Sequence, residues 1–194
     1  MRPQYWIVET VLTDKVDGSI RKTNWYVITG GPSSGKTTTV NLLKASGYKT
    51  TVENARLYFD MQRVNGHPVE EVTKNREEFQ RTILTMQIEL EKQLNPDELI
   101  FLDRAIPDSH AYYHYLGLTE DPMLAEALLT VSYKKVFILD CLPLVQDYAR
   151  REDEAAQLKI HQSLIDVYET LPFPTMRVPV LPAEERVEFI LRNL

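Results

Sequence analysis

The stretch WYVITGGPSSGKTTTV, residues 25–40, decides the fold. Its first five residues are bulky and β-forming, its end leads into a run read as a helix, and glycines and hydroxyls crowd the turn between. Gly30, Gly31, Pro32, Ser33, Ser34, Gly35, Lys36 and Thr37 fit the pattern G-x-x-x-x-G-K-[ST], placed between strand and helix as that pattern requires. Glycines let the backbone curl so that successive N–H groups face one anionic centre, and the helix adds the positive end of its dipole. The expected ligand is a nucleoside triphosphate. Lys36 would reach the β and γ phosphates, Thr37 would ligate Mg²⁺ bridging them, and Thr38 would add an α-phosphate contact. The sequence has no Asn/Thr-Lys-x-Asp guanine-reading motif, which favours ATP.

The bulk of the chain sets limits around this loop. With 194 residues, 43% of them hydrophobic, it suits one domain with one sizeable core. A net charge of -6 argues against broad adhesion to nucleic acid or anionic membrane, so any anion site is expected to be local. Cys141 is the single cysteine and cannot form an intramolecular disulfide. No N-terminal apolar segment resembles a signal peptide or a bilayer span, and a cytoplasmic setting is expected.

Short apolar runs alternate with longer segments of helical period, the punctuation of an α/β fold. Residues 25–29, 49–52, 99–102, 135–139 and 175–179 read as buried parallel strands. Between the second and third, Phe79, Ile83, Met86, Leu90 and Leu94 recur at helical spacing and are expected to face the core. Helices should stop near Gly47, Gly66-His-Pro68 and Asn95-Pro96, and residues 182–194 read as a last amphipathic helix. Residues 1–24 sit outside this rhythm. They read as an extension, a strand or hairpin around Asp17-Gly18, ahead of a nucleotide-binding domain over 25–194. Asp14 and Asp17 beside that turn are ordinary turn residues before they are metal ligands.

The segment Leu99-Ile100-Phe101-Leu102-Asp103-Arg104 puts a carboxylate at the C-terminal end of a buried strand, where α/β sheets bind ligands. Asp103 then reads as the Walker B acid holding Mg²⁺ or a Mg²⁺-bound water, with Arg104 turned toward phosphate.

With the P-loop, the runs Gly47-Tyr48, Val52-Glu53-Asn54-Ala55-Arg56 and Asp103-Arg104-Ala105-Ile106-Pro107-Asp108-Ser109 followed by Tyr112-Tyr113 resemble a family of small P-loop ATPases of AAA type. That family is related to the kinase domain of bacterial nicotinamide riboside kinase and, more distantly, is similar to thymidylate and deoxynucleoside kinases. The resemblance runs from about residue 25 to the C terminus. It implies a three-layer sandwich around a five-stranded parallel sheet in order 2-3-1-4-5, and it leaves the substrate open.

In kinases of this type a carboxylate after the second strand meets the acceptor hydroxyl, which makes Glu53 a candidate general base. The rival reading is an acid complementing a helix N-terminus. Asp108 has the same ambiguity, as a site residue or a helix cap. Arg150 and Arg151 fall where such kinases carry a lid whose arginines close on the transferring phosphate; alternatively they sit on a solvated charged helix. His110 and His114 share a helix face, but with no third ligand in view a zinc site is not expected. Tyr112, Tyr113 and Tyr115 read as core, with stacking on an acceptor base as the alternative, and Cys141 as a small buried residue. The resulting expectation is a Mg²⁺-dependent ATP phosphotransferase acting on a small-molecule acceptor such as a nucleoside or nucleotide. An ATPase switch acting on a protein partner is the alternative.

Overall fold

The computed structural model of the chain describes residues 20–144 and 153–194. Along the chain, β1 (Arg21–Lys22) and β2 (Trp25–Thr29) lead into α1 (Lys36–Ala45). Next, β3 (Lys49–Thr50) is followed by α2 (Asn54–Val64), α3 (Val69–Val72) and α4 (Arg76–Gln93). Then β4 (Ile100–Asp103) precedes α5 (Ile106–Leu116), α6 (Pro122–Leu128) and β5 (Val131–Ser132). The chain closes with β6 (Lys135–Leu139), α7 (Glu154–Thr170), β7 (Thr175–Val178) and α8 (Ala183–Arg192).

The main sheet is parallel throughout and runs β3-β4-β2-β6-β7, which is 2-3-1-4-5 when its five strands are counted along the chain. Period-two alternation sorts its side chains into two cores. Trp25, Val27, Ile100, Leu102, Val136 and Ile138 face α4, α5, α6 and α7. Tyr26, Ile28, Phe101, Phe137, Leu139 and Val178 face Val40 and Leu43 of α1 and Val187 and Ile190 of α8. This makes three layers in which the inner strands β2, β4 and β6 are buried on both faces, the reason they read as continuous apolar runs. The edge strands β3 and β7 are polar and largely uncovered, Val178 being the one fully buried residue of β7, and so are not the buried strands expected of 49–52 and 175–179.

Element ends differ from expectation by a residue or two. β3 is shorter than 49–52: Thr51 N–H still donates to Phe101 O at 3.0 Å, but Val52 is exposed. β4 extends to Asp103, because the register pairs Ile28 with Asp103. Of the N-terminal extension, residues 20–24 are described, and the turn at Asp17-Gly18 lies outside them. There β1 pairs with β5 in parallel, so its partner strand is not the antiparallel arm of a hairpin. Arg21 donates to Leu94 O at 2.6 Å and Asn24 N–H to Pro96 O at 2.7 Å, tying this segment to the end of α4.

The α4 stripe is a correction. The buried residues are Gln80, Leu84, Gln87, Ile88 and Glu91, while Phe79, Ile83, Met86 and Leu90 are only partly covered. The helix turns a largely polar face inward because that face is hydrogen-bonded. Asn54 donates to Gln87 Oε1 at 2.7 Å, Gln87 to Glu91 Oε1 at 2.8 Å, and Tyr133 OH to Glu91 Oε2 at 2.8 Å. Satisfied polar groups can be buried, so apolar periodicity alone picked the wrong stripe.

Candidate active site

Residues 30–35 form the loop between β2 and α1, and Lys36 and Thr37 open the helix. Gly30 sits at φ +142°, and a Cβ there would stand 2.5 Å from Leu139 O and 2.8 Å from Ser34 Oγ. Only glycine fits, in backbone angle and in space. Lys36 is the first residue of α1 and is buried, its Nζ donating to Gly30 O at 2.8 Å, Gly31 O at 2.9 Å and Ser34 Oγ at 3.3 Å. Burial first, then the charge of Arg104, pull its pKa down to about 8 against the carboxylates of Glu53, Asp103 and Asp108. Thr37 and Thr38 are exposed on the first turn of α1. The loop is braced from behind, Pro32 O accepting from Gln157 at 2.8 Å and Ser34 O from Arg186.

β4 lies beside β2 and delivers the second group of residues. Asp103 is buried, with its N–H on Thr51 Oγ1 at 2.9 Å and its Oδ1 without a hydrogen-bond partner among the described residues. Burial, then Glu53, raise its pKa to about 7, opposed by Lys36 and Arg104. Arg104 adopts φ +69°, a left-handed conformation that costs about 1–2 kcal/mol for a side-chain-bearing residue and is held by its N–H on Ile28 O. Its guanidinium reaches Glu53 Oε1 at 2.8 Å, Asp108 Oδ1 at 2.9 Å and Tyr112 OH at 3.3 Å. Arg104 is thus engaged by carboxylates, where the sequence suggested it would face phosphate.

Glu53 occupies the N-cap position of α2 but makes no side-chain cap hydrogen bond; its carboxylate goes to Arg104. Burial alone would raise its pKa, yet the charges of Arg104 and Lys36 outweigh it and bring the value to about 2. Asp108 is saturated. Thr29 Oγ1 and Arg104 donate to Oδ1, while Ala105 N–H and Tyr168 OH donate to Oδ2. It holds Arg104 and organises the start of α5 from within the first turn, accepting from the N–H of Ala105; Ala105, not Asp108, is the N-cap residue.

A cavity of about 1190 Å³ is lined by Lys36, Glu53, Arg104 and Asp108, and Asp103 is not among its lining residues. It runs from Ser33–Thr38 residues of the loop past Glu53 and Arg104 into a compartment walled by Phe59, Phe79, Ile83, Tyr112 and Tyr115. The Phe59 and Phe79 rings stack at 5.1 Å and 10°. Gln80 and Gln87 also line it. The tyrosine run divides: Tyr113 is core, whereas Tyr112 and Tyr115 face the cavity. The sequence reading missed Asn54, Gln80 and Gln87, although Gln80, Leu84, Gln87 and Glu91 carry their own helical spacing.

The family model of the AAA domain matches residues 25–186, from the first strand of the main sheet to the helix behind the P-loop. The chain belongs to this AAA-domain family. No curated protein sequence matches it. Among solved structures, this AAA-domain chain resembles deoxyadenosine kinase from M. mycoides with bound dATP at 18% identity and TM-score 0.63, over 87% of this chain and 98% of that one. Thymidylate kinase from Ehrlichia chaffeensis matches at 15% identity and TM-score 0.58, over 91% and 98%. The NadR protein in complex with NR matches at 15% and 0.57, over 81% of this chain and 46% of that one. At these identities the likeness is one of fold.

The remaining site candidates of the AAA-domain chain lie apart or outside view. Arg150 and Arg151 fall outside the described residues. His110 and His114 pack edge to face at 4.7 Å, with His110 Nε2 3.2 Å from Glu120, and among the described residues no group of three His, Cys, Asp or Glu gathers as a metal site. Cys141 is half-buried, more open than expected, and lies just past the end of β6 beside Gly31. Among the described residues no helix is long and apolar enough to cross a membrane.

Proposed function

We propose that this chain is a Mg²⁺-dependent phosphotransferase that moves the γ-phosphate of ATP to a hydroxyl of a small acceptor carrying an aromatic ring, a nucleoside or nucleotide. One observation carries the reading: a single cavity joins the P-loop to an aromatic compartment, with Glu53 and Arg104 at the junction. Its volume exceeds that of an ordinary single-ligand pocket, which suits two substrates held end to end. The kinase names of two structural neighbours support the same class. The unit that carries it is taken as residues 25–194, to which residues 21–24 are bonded. A cytoplasmic setting fits the single free cysteine.

In this reading the backbone N–H groups of residues 34–37 cradle the phosphates, and Lys36 leaves its loop carbonyls to meet them. Thr37 and Asp103 would hold Mg²⁺, which supplies charge neutralisation on the phosphates; the unpartnered, buried Asp103 Oδ1 suits a cation. Glu53, ionised and fixed by Arg104, accepts the hydrogen bond of the acceptor hydroxyl and orients its oxygen. With a pKa near 2 it works mainly by orientation, taking the proton at its carboxylate oxygen late in transfer. Phe59, Phe79, Tyr112 and Tyr115 hold the acceptor's ring. Arg150 and Arg151 are proposed to cover the transferring phosphate and exclude water.

ADP release from ATP, measured with and without a panel of nucleosides and nucleotides, tests this. Acceptor should stimulate ADP release strongly, and Arg150→Ala or Arg151→Ala should lower turnover roughly a hundredfold. Equal ADP release without acceptor overturns the kinase reading, and rates within about threefold of the parent for both variants overturn the arginine role.

A further inference from the structure

Gly31 lies at the start of the P-loop, and its backbone N–H is turned to the side of the fold. It donates to Nδ1 of His161 on α7, 3.2 Å away and buried, while the Gly31 carbonyl accepts from Lys36. The approach is close: a Cβ on residue 31 would stand 2.9 Å from His161 Cβ and 3.3 Å from Cys141 Sγ. One turn earlier on α7, Gln157 donates to Pro32 O. The same helix therefore grips two successive loop residues, one by accepting and one by donating.

An N–H can donate only to a ring nitrogen that carries no proton. The hydrogen-bond geometry thus assigns His161 as neutral, with its proton on Nε2. Beyond Nε2 stand Asp140 Oδ1 at 3.9 Å, the acceptor on that side, and Arg177 Nη2 at 3.4 Å, a donor that makes no hydrogen bond to a protonated Nε2 and is bonded to Asp140 instead. Of the titratable and charged groups among the described residues, Asp140, Cys141, Arg177 and Lys36 face this ring or the Gly31 peptide it holds. Burial first, then Arg177, hold the His161 pKa below its usual value; Lys36 adds to this and Asp140 opposes it.

We propose that His161 is a positioning residue for nucleotide binding: its bare Nδ1 fixes the Gly31 peptide and with it the first turn of the phosphate cradle. The inference rests on the P-loop reading of residues 30–37. When Lys36 leaves the Gly31 carbonyl for a phosphate, His161 is the partner that stays. A protonated imidazole would set one donor against another, so the grip is released in acid.

The test is calorimetric titration of the full-length chain with Mg²⁺ and ATP between pH 5 and 8, for the parent, His161→Leu and His161→Asn, with urea unfolding measured alongside. Asn carries an oxygen near the place of Nδ1 and does not take up a proton; Leu offers no acceptor. Binding should weaken about tenfold in His161→Leu, the equivalent of about 1.4 kcal/mol for one orphaned amide, and stay within about threefold of the parent in His161→Asn. The parent should lose more affinity toward pH 5 than His161→Asn does. Parent-like binding by a folded His161→Leu, an Asn variant as weak as Leu, or the same acid loss in parent and Asn each overturns the proposal. If His161→Leu fails to fold, the pH comparison of parent with His161→Asn decides. Lys36→Ala separates the two readings: loss of ATP binding there, with His161 variants unchanged, leaves the P-loop assignment standing and removes the role of His161. A parent that binds no ATP overturns both.

Discussion

Glu53 shows what one side chain does when two roles compete for it. At the N-cap of α2 its carboxylate had backbone amides within reach, and it bonds Arg104 instead, 51 residues further along the chain. A carboxylate with pKa near 2 is ionised at every working pH, so its value to catalysis is a fixed negative charge beside the acceptor oxygen. Glu53→Gln keeps the shape and removes that charge, while Asp108 still holds Arg104. Turnover should fall about 10²–10⁴-fold with little change in the KM for ATP, as steady-state kinetics with a stimulating acceptor would reveal. A KM change without loss of turnover would make Glu53 a binding residue only. The carboxylate's partner was not legible in the sequence, because nothing local links residues 53 and 104; the strand order brings them together.

Among the elements, α4 carries the sharpest contrast, since its two faces serve different ends. Leu84 is fully buried under the sheet, whereas Phe79 walls the cavity and stacks on Phe59 of α2. Leu84→Ala should cost about 2–5 kcal/mol of stability in urea unfolding and leave the acceptor KM near the parent value. Phe79→Ala should do the reverse, raising the acceptor KM about tenfold with the smaller stability loss. Equal stability losses with unchanged KM would place both residues in the core. The helix itself was plain from its period, and so were the inner strands β2, β4 and β6, whose two-sided burial writes itself as unbroken apolar runs. Which face went inward was hidden, because Gln80, Gln87 and Glu91 look like surface residues until Asn54 and Tyr133 arrive from distant parts of the chain to satisfy the latter two.

For the molecule as a whole, Glu91 makes stability depend on pH in an unusual direction. Burial, partly offset by hydrogen bonds from Gln87, Tyr133 and Ile106, raises its pKa to about 7 from 4.5. Between those values the folded chain holds a proton that the unfolded chain has released, so stability contributed by this group falls as pH rises from 4.5 to 7 and is flat above. Asp103 acts in the same sense; His110, lowered to about 4, acts oppositely, losing stability as pH falls below 6.5. Subtracting the unfolding free energies of parent and Glu91→Gln isolates the first effect. The variant should gain on the parent across that window, by about 3 kcal/mol at pH 8, and a pH-independent difference would show that folding does not raise the Glu91 pKa. The order of strands has a further consequence, for the moment of synthesis. Trp25 pairs with Ile100 and Thr29 with Ile138, so the central strand emerges first and must wait for partners made some hundred residues later. At 5–20 residues per second that wait is about 5–20 s, during which WYVIT has no sheet to join. Nucleotide cannot guide this stage, because the phosphate loop has no rigid strand behind it until β4 and β6 are in place. The nascent chain therefore passes through an interval of aggregation risk that the finished protein no longer displays.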